Sequence, residues 1–276
     1  MKKSDLLKLL DNLEFHPGKI LGQNFLIDDN LLDFIIRSSN PNSGDEVLEV
    51  GPGFGVLTRK LLQTGVNLTA IEFDHRLADY LRKNITTDAF ELVEADVLRV
   101  DIESLMAKKG DFKCIANLPY AVSSPFLANL ISLNLPPKYM CFMLQKEVGQ
   151  RLAAHVGVKN YGGLSVRVQA IYDVKILRTV PKQVFLPPPD VDSAIVQFVR
   201  KDTYPAKNEM DKLSKLVKVA FSQRRKQMFK LLANLYGKEN IVKLYEVAQL
   251  NKTVRAEQLT VEEFISLSND LTNILD

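Results

Sequence analysis

The side chains that build disulfide frameworks and transition-metal sites are scarce, with two cysteines and three histidines in 276 residues. Cys114 and Cys141 each sit in an apolar run, where a small core residue belongs. His16, His75 and His155 are scattered along the chain, so there is no Cys/His cluster and no metal is expected. Excess charge is also small: 36 Lys and Arg against 33 Asp and Glu leave a net +3. The overall balance therefore says little about nucleic acid, and only the local placement of charge can. No run approaches the roughly 20 apolar residues of a membrane span. Met1 to Leu13 mixes Lys, Asp and Leu at helical spacing and has no cleavable apolar core, so it is not a signal peptide. A soluble, cytoplasmic protein is expected, and with no heptad or long apolar stripe, a monomer.

What is present is globular: 46% hydrophobic and 25% charged residues, with length for one large domain and a small one. Leu6 to Leu13 predicts a short amphipathic helix, broken at Pro17-Gly18, and Asp29 to Ser38 a second one, ended by Pro41-Asn42-Ser43-Gly44. A β/α alternation then runs for about 130 residues. Strands are expected at Glu46–Val50, Leu68–Ile71, Phe90–Val93, Phe112–Ala116 and Tyr139–Leu144, with helices such as Val56–Leu62 and Leu77–Asn84 between them. This spacing implies right-handed crossovers and an α/β, Rossmann-like, mostly parallel sheet. Leu164–Tyr172 and Ser193–Val199 read as two late strands forming an antiparallel edge, with a proline-rich segment between them. Lys201 to Glu209 reads as a linker, and the rest as helical. The expected division is 1–200 for the sheet domain and 201–276 for a small helical domain.

Chemistry-bearing residues fall at successive strand ends. Glu49-Val50-Gly51-Pro52-Gly53-Phe54-Gly55 follows the first strand, and its glycines let the backbone turn sharply beside a ligand. Glu72 ends the second strand, where a carboxylate can hold both hydroxyls of a ribose. Asp96 follows the third, where it can accept from an adenine amino group. The G-x-G-x-G spacing differs from the G-x-G-x-x-G that packs a helix under a pyrophosphate. Ribose and adenine without pyrophosphate point to S-adenosylmethionine. Asn117-Leu118-Pro119-Tyr120 closes the fourth strand. Alone it is equally a turn, yet its amide and carbonyls can also accept from a planar amine while the tyrosine stacks on the attached ring.

Taken in order, Gly22-Gln23-Asn24-Phe25-Leu26, Glu49 to Gly55, Glu72, Asp96, Asn117 to Tyr120, Phe185-Leu186-Pro187-Pro188-Pro189 and Val191-Asp192-Ser193-Ala194 resemble the ribosomal RNA adenine N6-dimethyltransferases, the dimethyladenosine transferase family. The resemblance covers residues 15 to 265. It implies methyl transfer from S-adenosylmethionine, with Asn24, Leu26, Gly51, Gly53, Glu72, Asp96 and Asn117 holding the cofactor. Asn117 Oδ1 and the Leu118 carbonyl would accept from the adenine amine, Pro119 would fix the backbone that presents them, and Tyr120 would stack on the base. Phe185 either covers the second face of the base or anchors the proline-rich loop as an apolar plug. No strong general base is required.

Lys212 to Lys230 carries seven basic residues and no acid, among them Lys218 and the cluster Arg224-Arg225-Lys226. It reads as a phosphate-contacting surface or as a solvated helix face. Relatives carry several basic residues before G-Q-N-F-L, whereas this chain has only Lys19 there. The expected substrate is a pair of adjacent adenines in a hairpin near the 3′ end of small-subunit (16S) rRNA, within an assembling subunit. A large-subunit methylase of the macrolide-resistance type and a non-catalytic assembly factor are the alternatives. Gly162-Gly163-Leu164-Ser165 and Asp192-Ser193-Ala194 favour the small-subunit branch.

Overall fold

The computed structural model describes residues 3–15, 23–223 and 225–275. Expectations placed on His16, Pro17-Gly18, Lys19, Gly22 and Arg224 lie outside the described residues. The chain divides into two compact units: Met1–Leu130, Leu135–Gly149 and Lys175–Val199 form the first, and Ile131–Asn134, Gln150–Val174 and Arg200–Asp276 the second. The second unit thus takes in 150–174, which a cut at residue 200 leaves with the first.

In the first unit the chain runs α1 (Lys3–Asn12), β1 (Phe25–Leu26), α2 (Asp29–Ser39), β2 (Glu46–Val50), α3 (Val56–Leu62), β3 (Asn67–Glu72), α4 (His75–Asn84) and β4 (Phe90–Glu94). It continues through α5 (Ile102–Met106), β5 (Phe112–Asn117), α6 (Tyr120–Leu130), β6 (Tyr139–Gln145) and α7 (Lys146–Leu152). After α8 (Gly163–Gln169) come β7 (Tyr172–Val180), β8 (Phe185–Leu186) and β9 (Ser193–Arg200). The main sheet has the order β4-β3-β2-β5-β6-β9-β7. β2, β3, β4, β5 and β6 pair in parallel, and β9 runs antiparallel to β6 from Tyr139↔Val199 to Gln145↔Ser193. Residues 113–116 and 140–144 are buried throughout, as expected of strands covered on both faces.

The strand order places the site. From β2 the chain steps outward to β3 and β4, then returns to lay β5 on the other side of β2. A crevice opens at that reversal, outside the carboxyl ends of β2 and β5. The loops carrying the glycines and Asn117 both begin there. At the amino end, Lys113 is buried on β5; its ammonium lies 2.8 Å from Asp45 and donates to the Asn40 carbonyl at 2.7 Å.

The segment Leu164–Tyr172, expected as a strand, instead forms α8 and only then enters β7. Leu164, Val166 and Val168 alternate, but the buried residues are Ser165, Val166 and Val168, which share a helical face. Ser165 Oγ accepts from the Gly162 N–H at 3.1 Å and donates to the Arg151 carbonyl at 2.6 Å, which ties down the first turn.

The second unit packs α8 with α9 (Lys207–Ala220), α10 (Met228–Tyr236), α11 (Lys238–Val247) and α12 (Val261–Leu275). Leu213, Leu216, Val217 and Ala220 make the buried stripe of α9. The Tyr161 hydroxyl donates to the Leu259 carbonyl at 3.0 Å, and Arg167 Nε to Ser214 Oγ at 3.0 Å. These bonds join 150–174 to the later helices.

Candidate active site

A cavity of about 260 Å³ lies at the carboxyl ends of β2, β3 and β5. Asn24, Leu26, Gly51, Gly53, Glu72, Asp96, Asn117, Leu118, Pro119, Tyr120 and Phe185 all line it, so every residue expected to touch cofactor or acceptor base is brought to one place. Lys218, Arg225 and Lys226 are exposed and belong to the second unit.

The floor is made of backbone. Gly51 has φ +67°, and a Cβ there would stand 3.1 Å from Pro119 Cδ, so the first glycine lets the β2 loop close on the proline of the β5 loop. Gly53, at φ +59°, turns its N–H to Glu72 Oε2 at 3.1 Å. Glu72 Oε1 accepts the Asp74 N–H at 2.9 Å. Burial raises the Glu72 pKa, and these two N–H donors oppose that rise. Each carboxylate oxygen keeps a second lone pair that can face a ligand hydroxyl. On the next strand end, Asp96 Oδ1 accepts the Leu98 N–H at 3.0 Å, which fixes the carboxylate at the cavity edge.

The β5 loop presents the other wall. Asn117 Nδ2 donates to the Asn24 carbonyl at 3.3 Å. That donation sets the amide, with Oδ1 left as its acceptor face. Leu118 is buried, and α6 starts at Tyr120. The Tyr120 hydroxyl lies 2.6 Å from Ser193 Oγ, and burial raises its pKa. Phe185, in β8, is 2% exposed and packs with Leu26, Leu32 and Ile35 in the core while also facing the cavity. β8 pairs with β1 through Phe25↔Leu186 and Leu26↔Phe185, which draws the proline-rich loop to the Asn24 segment.

Four lining residues carry signals that the sequence reading left unassigned. Glu49 is 2% exposed, and its Oε2 has no hydrogen-bond partner among the described residues. Burial, reinforced by the neighbouring Glu72, pushes its pKa up to about 8. An acid between Leu48 and Val50, in the stretch of β2 that is buried, was the available clue. Phe73, 59% exposed at the cavity mouth, directly follows Glu72. Asp74 caps α4 by accepting from the Arg76 N–H at 3.0 Å and takes the Gln23 amide at 3.0 Å. Gln23 and Asp74 thereby hold the segment before β1 against the β3–α4 turn, and Arg76 stacks 4.2 Å from the Phe15 ring centroid beside it.

The side chains suit S-adenosylmethionine: a carboxylate for ribose hydroxyls, another at an adenine edge, and an unpartnered carboxyl oxygen of Glu49 beside a glycine cradle. The sequence profile of the ribosomal RNA adenine dimethylase family matches residues 16–273. A Ligilactobacillus salivarius protein named ribosomal RNA small subunit methyltransferase A is 40% identical over 93% of this chain and 90% of its own length. The Bacillus licheniformis protein of that name is 38% identical over 97% of this chain and 96% of its own. Among solved structures, a dimethyladenosine transferase from Plasmodium falciparum superposes with TM-score 0.77 at 26% identity, covering 91% of this chain and 98% of that one. The 23S rRNA methyltransferase ErmE shares the fold, with TM-score 0.67 at 22% identity over 90% of this chain and 100% of that one.

Proposed function

The chain belongs to the ribosomal RNA adenine dimethylase family, and we propose that it methylates N6 of two adjacent adenines in a hairpin near the 3′ end of small-subunit (16S) rRNA. The methyl donor is S-adenosylmethionine, and the products are dimethyladenosines made while the subunit assembles. The observation that carries this reading is the Asn117 amide. Its donation to the Asn24 carbonyl at 3.3 Å commits Oδ1 to accepting, beside the Leu118 carbonyl and the Tyr120 ring.

When bound, S-adenosylmethionine supplies an electrophilic methyl group on a sulfonium sulfur. Glu72 accepts the ribose hydroxyls, and Asp96 accepts from the adenine amine of the cofactor. Phe73 offers a ring face to that adenine, and Glu49 supplies an acceptor for the ammonium. Gly51 and Gly53 allow the backbone approach, with Asn24 and Leu26 closing the opposite side.

The adenine N6 of the RNA is a weak nucleophile because its lone pair delocalises into the ring. Asn117 Oδ1 and the Leu118 carbonyl accept its two N–H bonds and favour a pyramidal nitrogen. Positive charge grows on that nitrogen during transfer, so both acceptors bind tighter in the transition state than in the ground state. Pro119 and the Gly51 contact hold the acceptors still, and positioning of this kind is most of what an in-line transfer needs. Tyr120 stacks on the base, and Phe185 closes the far side of the slot. The proton lost after transfer goes to solvent.

Phosphates of the RNA fall to the second unit. Lys218, Arg225 and Lys226 are exposed on it, with Arg224 in the same run. The Met228 N–H donates to the Val254 carbonyl at 3.1 Å, and Lys252 lies 5.5 Å over the Phe229 ring, so a further cation joins this surface. We place the enzyme in the cytoplasm as a monomer acting on a partly assembled subunit. The test is labelled methyl transfer to unmethylated small subunits and, separately, to naked large-subunit rRNA. Incorporation into adjacent adenines of the small subunit only, lost in Asn117→Ala, is expected. Transfer to large-subunit RNA would replace the small-subunit reading. Tight binding without transfer would make the protein an assembly factor.

A further inference from the structure

We propose that Ser193 is a positioning residue that pins the Tyr120 ring, and that this pin is what lets the site methylate an amine already carrying one methyl group. The inference rests on the dimethyl transfer proposed above. It starts from the 2.6 Å contact between the Tyr120 hydroxyl and Ser193 Oγ.

Stacking on a base needs only an aromatic ring, so the hydroxyl of Tyr120 requires a separate reason. Its partner is on a rigid frame. Ser193 is fully buried and opens β9, paired with Gln145 at the carboxyl end of β6. The preceding residue is held as well: the Asp192 carbonyl accepts the Lys146 N–H at 3.0 Å, and Asp192 Oδ1 accepts the Lys182 N–H at 3.2 Å. The other end of the tyrosine is equally fixed. Ser123 Oγ donates to the Tyr120 carbonyl at 2.9 Å, and the Val122 N–H to the Pro119 carbonyl at 3.1 Å. A ring held at its Cα on one element and at its hydroxyl on another can neither swing at χ1 nor slide in its plane.

The two methyl transfers ask different things of that ring. Adenine N6 brings two N–H donors to the first, one for Asn117 Oδ1 and one for the Leu118 carbonyl. After the first transfer a C–N bond has replaced one N–H, and the proton has gone to solvent. The monomethylated amine can satisfy only one acceptor at a time. The plane of the base is then set more by stacking and less by hydrogen bonds, just when the amine has become bulkier. Misplacement by about 1 Å costs on the order of 100-fold in such alignments. A ring free to pivot therefore slows the second transfer more than the first.

The experiment uses the full chain, unmethylated small ribosomal subunits and labelled S-adenosylmethionine. Digested RNA is analysed by mass spectrometry for monomethyl- and dimethyladenosine. Ser193→Ala and Tyr120→Phe remove the same hydrogen bond from opposite sides. Each is expected to raise the monomethyl-to-dimethyl ratio by roughly tenfold, and the double variant to be no worse than either single one. Thermal unfolding should shift only by the loss of one hydrogen bond and by a similar amount in both single variants. A wild-type ratio in Tyr120→Phe overturns the proposal, as does equal slowing of both transfers or additivity in the double variant. If Ser193→Ala fails to fold, Tyr120→Phe decides alone. Wild-type protein that makes no dimethyladenosine would overturn the function reading itself, and that arm is read before any variant is compared.

Discussion

Glu49 illustrates what a single buried carboxyl can do to a protein that waits for a ligand. Its folded pKa, pushed up to about 8, stands above the ordinary carboxyl value of 4.5. Below the unfolded value both states carry the proton and nothing is lost. Between 4.5 and about 8 the unfolded chain gives up its proton and the folded one does not, so ligand-free stability falls as pH rises through this window. Glu49→Gln should lessen the fall of stability from pH 5 to pH 8, with the rise of the Glu72 pKa accounting for part of what remains, measured by thermal unfolding without ligand. The same variant should weaken S-adenosylmethionine binding, measured by calorimetry at pH 8. Asp45 has the opposite sign. Burial alone would raise its pKa, but hydrogen bonds from Lys113, the Asn42 N–H and Lys138 outweigh burial and hold it at about 2. Its contribution is present above the unfolded carboxyl value and disappears as pH falls towards 2. Asp45→Ala leaves the Lys113 ammonium buried without its carboxylate. That should cost about 3 kcal/mol in denaturant unfolding while sparing methyl transfer, because Asp45 lies at the amino end of the sheet.

Elements differ in how much of themselves they write into sequence. β5 and β6 are covered on both faces, so their apolar runs are nearly continuous and readable. β7 lies at the edge beyond β9, with Asp173, Lys175, Ile176, Arg178 and Thr179 exposed, and neither period stands out. α8 was read as a strand because its valines alternate; the contacts with α9 and α12 that decide otherwise are tertiary. The cavity was legible for a related reason. Its ligand-facing residues must sit at strand ends, and strand ends could be located. Asp74 was not legible, since capping α4 and gripping Gln23 are both facts of folded geometry. At this scale Asp74→Ala removes an N-cap worth about 1 kcal/mol and frees the Gln23 amide. A small loss of thermal stability with a several-fold weaker S-adenosylmethionine affinity by calorimetry is the expected result.

For the whole molecule, the work is split between two units: the cavity in the first and the exposed cations of α9 and its sequel in the second. Replacing Arg225 and Lys226 together by alanine should weaken binding to the small subunit and flatten its dependence on salt. Cofactor affinity and thermal stability should not move, because both side chains are exposed. Filter binding across a salt series separates this outcome from general damage.

The sheet order has one more consequence, which concerns synthesis. β7 precedes β9 in the chain yet lies outside it, with β9 between β7 and β6. A growing chain that has emerged only to Val180 therefore has every strand of the parallel core but lacks the strand beside which β7 finally lies. β7 can take its final place only once residues 193–200 have emerged and lie between it and β6. The same stretch delivers Ser193. A nascent chain thus completes the wall of its cofactor floor before it acquires the hydroxyl that meets Tyr120, and translation order itself separates the two halves of the site in time.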